Sequence, residues 1–180
     1  MRDGWQMWRG EDGFNKEQVE AVINAGIKNQ PDKATTFNAQ NDARSSRVSW
    51  VNNEAWIRTA LYEYIKIANR NAFNVRVENY ADLQYTEYHA SEEGHYDWHT
   101  DVFWGETKPF DRKLSITVQL SDPSDYEGGD FEFSEVETPA NSKQKGTVLI
   151  FPSYLSHRVL PITSGVRRSL VAWFEGPRWN

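Results

Sequence analysis

From residue 75 to its C-terminus the chain is cut into short strand-like pieces, and this limits its fold more than any other feature. Segments 75–78, 83–88, 95–101, 113–121, 130–134, 147–151, 155–160 and 168–174 are rich in β-branched and aromatic residues or alternate apolar with polar. Turn signals stand between them: Gly94, Asp122-Pro123, Gly128-Gly129, Gly146, Pro152, Pro161 and Gly165. Such a series favours a sandwich, barrel or jelly roll. A doubly wound parallel sheet is disfavoured, because there helices alternate with strands.

Helical periodicity is confined to the N-terminal part. Residues 16–29 put Val19, Val22, Ile23 and Ile27 on one face. Asn15 can cap this helix, Gln18 can close a capping box, Phe14 can staple to Val19, and Pro31 lies beyond the end. Residues 32–47 read as a polar loop and 47–51 as a short strand. A second helix is expected to start at an Asn53 cap and to end at 69–71. It carries Trp56, Ile57, Ala60, Leu61, Tyr64, Ile65 and Ala68 as a wide apolar stripe, with Glu54 and Arg58 as an i,i+4 pair. At 180 residues, with no repeat and no linker, the sequence suits one domain over 1–180. Its helical support would occupy about 14–73 and its β core about 75–176.

Composition removes several classes of function. No cysteine is present, so a disulfide scaffold, a zinc ribbon and thiol catalysis are excluded. The net charge of −6 argues against nucleic acid as a partner. Residues 1–4 have no apolar leader, and no apolar run approaches the ~20 residues of a membrane span. A cytoplasmic protein with no membrane partner is therefore expected. Nothing in the sequence fixes an oligomeric state.

The densest chemistry lies at 95–101. On a strand alternate residues share a face, so His95, Asp97, His99 and Asp101 can all point one way. This gives two overlapping His-x-Asp pairs, and the spacing does not choose between them. Four such side chains on one face are costly to bury without a cation or water. His157, on a later strand, offers a third ligand. Two histidines and one carboxylate hold three positions of an octahedron and leave three open, as in non-haem Fe(II) oxygenases. A turn through 161–165 would fold the next strand back and set Arg167 nearly opposite His157. Arg167, Ser169, Val171 and Trp173 would share one face, and Arg168, Leu170, Ala172 and Phe174 the other. A guanidinium fork there suits a carboxylate. Ser115, Thr117 and Gln119 share a strand face and are candidates to line the cavity.

In order and spacing these pieces resemble the prolyl-4-hydroxylase-like Fe(II)/2-oxoglutarate-dependent oxygenases. The matching elements run from 83–88 through Tyr96-x-x-His99-x-Asp101, the strand at 112–121, and Tyr126-Glu127-Gly128-Gly129-Asp130-Phe131. They continue with 146–152, His157-Arg158-Val159, Gly165-x-Arg167 and Trp173-Phe174, and the helix ending at 69–73 resembles the family's lead-in helix. The resemblance implies a double-stranded β-helix, the jelly roll of cupin-like proteins, buttressed by helices. It also implies a ligand set. The family's metal pair has a tyrosine three residues before the histidine; Tyr96 meets this for His99, whereas His95 would need one at Glu92. Iron therefore falls to His99, Asp101 and His157, which become the catalytic centre, and His95 and Asp97 become polar neighbours. Arg167 takes the distal carboxylate of 2-oxoglutarate, Tyr88 is a second donor, and Tyr96 lies beside it in the pocket. The implied reaction consumes 2-oxoglutarate and oxygen, releases succinate and carbon dioxide, and hydroxylates an unactivated C–H bond. The substrate it suggests is a prolyl residue in a protein or peptide, with ascorbate as an accessory reductant. Two rival readings are a non-catalytic jelly-roll binding module and a nucleic-acid demethylase of the same chemistry. Segment 102–112 reads as a lid or an ordinary surface loop.

Overall fold

A computed structural model describes residues 4–34 and 43–179. Residues 1–3 of the stretch read for a leader, residues 35–42 of the expected polar loop, and residue 180 lie outside them. The strands are β1 (Gln6–Trp8), β2 (Asp32–Lys33), β3 (Arg44–Ser45), β4 (Arg47–Trp50), β5 (Ala81–His89), β6 (His95–His99), β7 (Phe110–Gln119), β8 (Tyr126–Gly128), β9 (Phe131–Phe133), β10 (Val148–Pro152), β11 (His157–Val159) and β12 (Ile162–Pro177). Two helices, α1 (Lys16–Lys28) and α2 (Ala55–Ala68), precede β5. Among the described residues all pairing is antiparallel. The large sheet has the order β1-β10-β7-β12-β5-β4-β2, with β8 added on β12; the small sheet has the order β3-β6-β11-β9. Two facing antiparallel sheets with helices on one outer face make the double-stranded β-helix.

The core lies between the helices and the outer face of the large sheet. Val19 and Val22 of α1 and Ile57, Leu61 and Ile65 of α2 pack on Leu83, Tyr85, Leu114, Ile116, Leu170, Ala172 and Phe174. Period 2 along each strand leaves the intervening residues to face the small sheet. At its start α1 matches the sequence closely: Asn15 accepts from the Gln18 N–H and the Gln18 side chain accepts from the Asn15 N–H, both at 2.9 Å. Gly26 lets the helix approach Tyr85, where a Cβ would stand 2.2 Å from the ring.

The second helix departs from expectation at its start. Glu54, not Asn53, is the capping residue, and it makes no side-chain cap. The expected Glu54–Arg58 pair is replaced by bonds from Trp56 Nε1 to Glu54 Oε2 (3.2 Å) and from Arg58 Nη2 to the Asn52 carbonyl (2.8 Å). Trp56 thereby leaves the stripe and is 38% exposed. Segment 75–78 is not a strand. It follows Asn74, at φ +50°, and makes a backbone bond from the Glu78 N–H to the Glu175 carbonyl at 2.7 Å. Val75 and Val77 still cover the edge of the core.

The C-terminal connection also differs. Gly165 is no hairpin turn; it lies inside β12 at φ +72°, where a Cβ would stand 2.0 Å from the Asp125 carbonyl oxygen. After Val159 the chain crosses from the small sheet to the large one. His157 therefore pairs with His99 and Phe133, whereas Arg167 pairs with Tyr88. The two residues come together across the sandwich and not along a hairpin. The face alternation read for β12 holds: Arg167, Ser169, Val171 and Trp173 line the inner cavity, and Leu170, Ala172 and Phe174 join the core.

Candidate metal and co-substrate site

A cavity of about 410 Å³ opens between the two sheets, lined by His99, Asp101 and His157 and by Tyr88, Tyr96 and Arg167. One ligand atom from each of His99, Asp101 and His157 lies within 4.8 Å of the others. His99 Nε2 is 3.9 Å from Asp101 Oδ1, and His157 Nε2 is 3.6 Å from Asp101 Oδ2. His157 and Asp101 are buried and His99 is half-buried.

The backbone fixes which nitrogen each ring offers. His99 Nδ1 lies 2.7 Å from the Asp97 carbonyl, and His157 Nδ1 lies 2.9 Å from the Leu155 carbonyl. A carbonyl only accepts, so each Nδ1 carries the proton and each Nε2 keeps its lone pair. The carboxylate is held as firmly. The Ser115 hydroxyl donates to Asp101 Oδ2 at 2.6 Å and lies 2.9 Å from Ser153 Oγ, while the Asp101 N–H donates to the Ser153 carbonyl at 2.9 Å. Phe131, Phe133 and Phe151 surround the His157 ring at 4.8–6.4 Å between centroids, keeping water from its back. Two imidazole lone pairs and an oriented carboxylate on one side of a cavity form a donor set suited to Fe(II).

Of the four residues at 95–101 that alternation would put together, only His99 and Asp101 reach the cavity. Strand β6 carries one extra residue relative to β11: His99 is opposite His157, but Tyr96 is opposite Val159. This bulge resets the alternation, so Tyr96 and His99 share a face and His95 and Asp97 do not follow them. The Tyr96 ring stacks on His99 at 3.5 Å between centroids and 13° between planes. Arg44 holds the other face of Tyr96, at 4.5 Å, while bonding to Gln84 Oε1 (2.9 Å) and Ser46 Oγ (2.7 Å). Sequence reasoning missed Arg44 altogether, and treated Ser115 only as one of three cavity candidates.

Across the cavity, Arg167 is only 5% exposed. Among the described residues none accepts a hydrogen bond from its guanidinium, which lies over the Tyr88 ring at 5.6 Å. Gly129, at φ +61°, makes room for it: a Cβ there would stand 3.1 Å from Arg167 Cδ. A buried cation without a protein acceptor, aimed into a cavity, fits an anionic ligand. Arg168 faces the opposite side of the sheet and bonds to Glu87 at 3.3 Å.

Burial, aided by the nearby His157, pushes the His99 imidazole down to about 4. Burial alone would raise the Asp101 carboxyl, but His157, His99 and the Ser115 hydroxyl outweigh it and hold it below its usual value. In the unfolded chain His99 takes its proton near 6.5, as an ordinary histidine does. Between about 6.5 and 4 the unfolded state therefore binds more protons, and stability falls as the pH falls. Metal-free protein is expected to show a melting temperature that declines through this window, with a shallower decline in His99→Gln. Equal slopes in the two proteins would contradict the assignment.

No helix among the described residues is long and apolar enough to cross a membrane. The sequence matches the family model described as the 2OG-Fe(II) oxygenase superfamily over residues 83–175. A PKHD-type hydroxylase of Synechococcus sp. (strain CC9311) is 42% identical over 85 residues, which is 46% of this chain and 37% of that protein. The chain thus matches well under half the length of this curated relative. Among solved structures, a Pseudomonas putida prolyl-4-hydroxylase superposes with a TM-score of 0.73 at 18% identity, covering 98% of this chain and 94% of that one. The collagen prolyl hydroxylase of Paramecium bursaria Chlorella virus-1 superposes at 0.71 and 19% identity, covering 97% of each chain. At such identities the superpositions speak for the jelly-roll fold; the family match spans just over half of the chain and includes all three residues of the triad. The chain belongs to the 2OG-Fe(II) oxygenase superfamily, whose chemistry uses Fe(II) and 2-oxoglutarate.

Proposed function

We propose that residues 1–180 form a single dioxygenase domain that hydroxylates a prolyl residue in a protein or peptide. In this reading His99, Asp101 and His157 hold Fe(II), and Arg167 receives the distal carboxylate of 2-oxoglutarate with Tyr88 beside it. The observation that carries it is the buried His–Asp–His triad sharing one cavity with a buried guanidinium that has no acceptor of its own. When bound, Fe(II) and 2-oxoglutarate supply oxidative decarboxylation to succinate and carbon dioxide coupled to C–H hydroxylation.

The protein's share of the work is positional. Ser115 occupies one side of Asp101 Oδ2, so the carboxylate presents its oxygens in a fixed orientation. Tyr96, backed by Arg44, keeps the His99 ring from rotating. Phe131, Phe151 and Val159 give the cavity apolar walls, and Trp50, Phe103 and Trp173 line it with further aromatic rings. Flat aromatic walls suit a proline ring, and both solved relatives named above are described as prolyl hydroxylases.

The direct test supplies the protein with Fe(II), 2-oxoglutarate, oxygen and a library of proline-containing peptides, with alanine in place of proline as control. Succinate release together with one added oxygen atom on proline is expected. Succinate release with oxygen added only at other residues would sink the prolyl assignment. Ser115→Ala should weaken Co(II) binding by about 10–100-fold, the usual cost of losing an outer-shell partner. An unchanged affinity would mean that Asp101 is oriented by its backbone alone.

A further inference from the structure

The mouth of the triad cavity continues as a groove. Asp82, Phe103, Glu106, Lys108 and Arg112 line both the main cavity and a small adjoining one of about 50 Å³ that also touches Asp101. Phe110 and Glu175 line both this small space and a third, of about 490 Å³, bordered by Tyr80, Pro109 and Pro177. The three hollows thus share walls between Asp101 and an exposed aromatic edge, where Tyr80 is 55% and Phe110 37% exposed.

The charges lining the small hollow lean negative: Asp82, Asp101, Glu106, Asp111 and Glu175 face Lys108 and Arg112. Asp82 stands opposite Trp173 in the β5–β12 pairing, and Glu175 lies two residues beyond Trp173. Among the described residues neither carboxylate forms an ion pair, and Asp82 has only a long bond from Asn52 Nδ2, at 3.4 Å. Burial and the charge of Asp82 push the Glu175 carboxyl up. Two cations nearby, Arg112 and Lys108, pull Glu175 the other way, but less than burial and Asp82 push it up. Lys108 pairs with Glu106 at 2.9 Å, and the Arg112 guanidinium lies over Trp173 at 4.1 Å and over Phe103 at 5.3 Å. Neighbouring like charges repel unless a counter-charge arrives.

A second, independent feature also asks for a ligand. Trp173 is 7% exposed and lines the main cavity, yet its buried indole Nε1 has no hydrogen-bond partner. An unsatisfied buried donor is costly, and a peptide carbonyl would relieve it once a neighbouring side chain shifts to admit it.

We propose that this groove selects a peptide substrate carrying a lysine or arginine beside the residue that enters the triad cavity, with Asp82 and Glu175 receiving its cation and the Tyr80–Phe110 edge receiving its apolar neighbour. The proposal rests on the reading of the chain as an oxygenase that acts on peptides. It adds a charge requirement that the proline ring alone would not impose.

The test uses the full chain with 2-oxoglutarate and Mn(II), and labelled peptides of equal length whose central proline is flanked by Lys, Gln or Glu. Fluorescence anisotropy should show the Lys peptide binding roughly tenfold tighter than the Glu peptide, with the gap closing as salt is added. Asp82→Asn combined with Glu175→Gln should shrink the gap to about twofold or less, the range of exposed pairs. Asp82→Lys should reverse the order. Equal binding of the three peptides, binding of none, or a lysine preference that survives the double variant would overturn the proposal. Parallel peptides with central alanine keep the two questions apart. If they bind as well as the proline set while the lysine preference persists, the prolyl reading fails and the groove stands. Peptide-stimulated succinate release, measured with Fe(II), without a charge preference overturns the groove alone.

Discussion

Asp101→Ala is expected to abolish metal binding and succinate formation while leaving the fold intact. The loss follows from the donor set. Without the carboxylate, two neutral imidazoles face the cavity with ring centroids 4.2 Å apart, and no anion remains to balance a divalent cation. Outer-shell partners alone cost about 10–100-fold in metal affinity, so loss of a direct ligand should cost more than about 100-fold. The fold should survive because no donor is orphaned: the Ser115 hydroxyl keeps Ser153 Oγ at 2.9 Å as its alternative partner. The backbone bond from residue 101 to the Ser153 carbonyl does not need the side chain. Equilibrium dialysis with Co(II), thermal melts and the succinate assay together separate these outcomes. Succinate formation equal to wild type would remove Asp101 from the centre, and a collapsed melt would mean that its role is structural.

What the sequence makes legible here is whatever local periodicity encodes. Val19 and Val22 on α1, and Leu170, Ala172 and Phe174 on β12, announce their faces because helix and strand repeat at fixed intervals, and the structure buries them accordingly. The resemblance picks out His99 over His95, but the physical reason lies in the bulge between Tyr96 and His99, which one strand's pattern cannot reveal because it depends on the register with β11. The crossing between Val159 and Ile162 was hidden for a similar reason. Pro161 and Gly165 look like the two ends of a hairpin, yet Gly165 serves a close approach to Asp125 inside a long strand. Ser115 and Arg44 show a different limit. Their partners, Asp101 and Tyr96, lie 14 and 52 residues away, and a hydrogen bond or a cation over a ring leaves no periodic trace.

Arg167→Met should move two measurements in opposite directions, which makes it the sharpest test of the co-substrate site. In the folded protein the Arg167 guanidinium is buried with no acceptor among the described residues. Replacing a lone buried charge by an apolar side chain of similar length removes a desolvation cost that nothing in the ligand-free protein repays. For a chain of this size each kcal/mol raises the melting temperature by about 2–4 °C. The variant should therefore melt higher than wild type when both lack ligand. Its affinity for 2-oxoglutarate should fall, because a charged partner in a desolvated site is worth about 2–5 kcal/mol, or roughly 30-fold to several thousandfold. The rise in melting temperature that 2-oxoglutarate confers on wild type, which follows from selective binding to the folded state, should vanish with it. Arg167→Lys keeps the charge and loses the planar fork, so its affinity should fall between the two. A Met variant that is less stable than wild type yet still stabilised by 2-oxoglutarate would show that Arg167 serves packing. Arg168 offers no substitute, since it lies on the far side of the sheet against Glu87. A residue whose removal strengthens the empty fold and disables the loaded one is held in place by its ligand, and that opposition separates a binding site from a merely polar pocket.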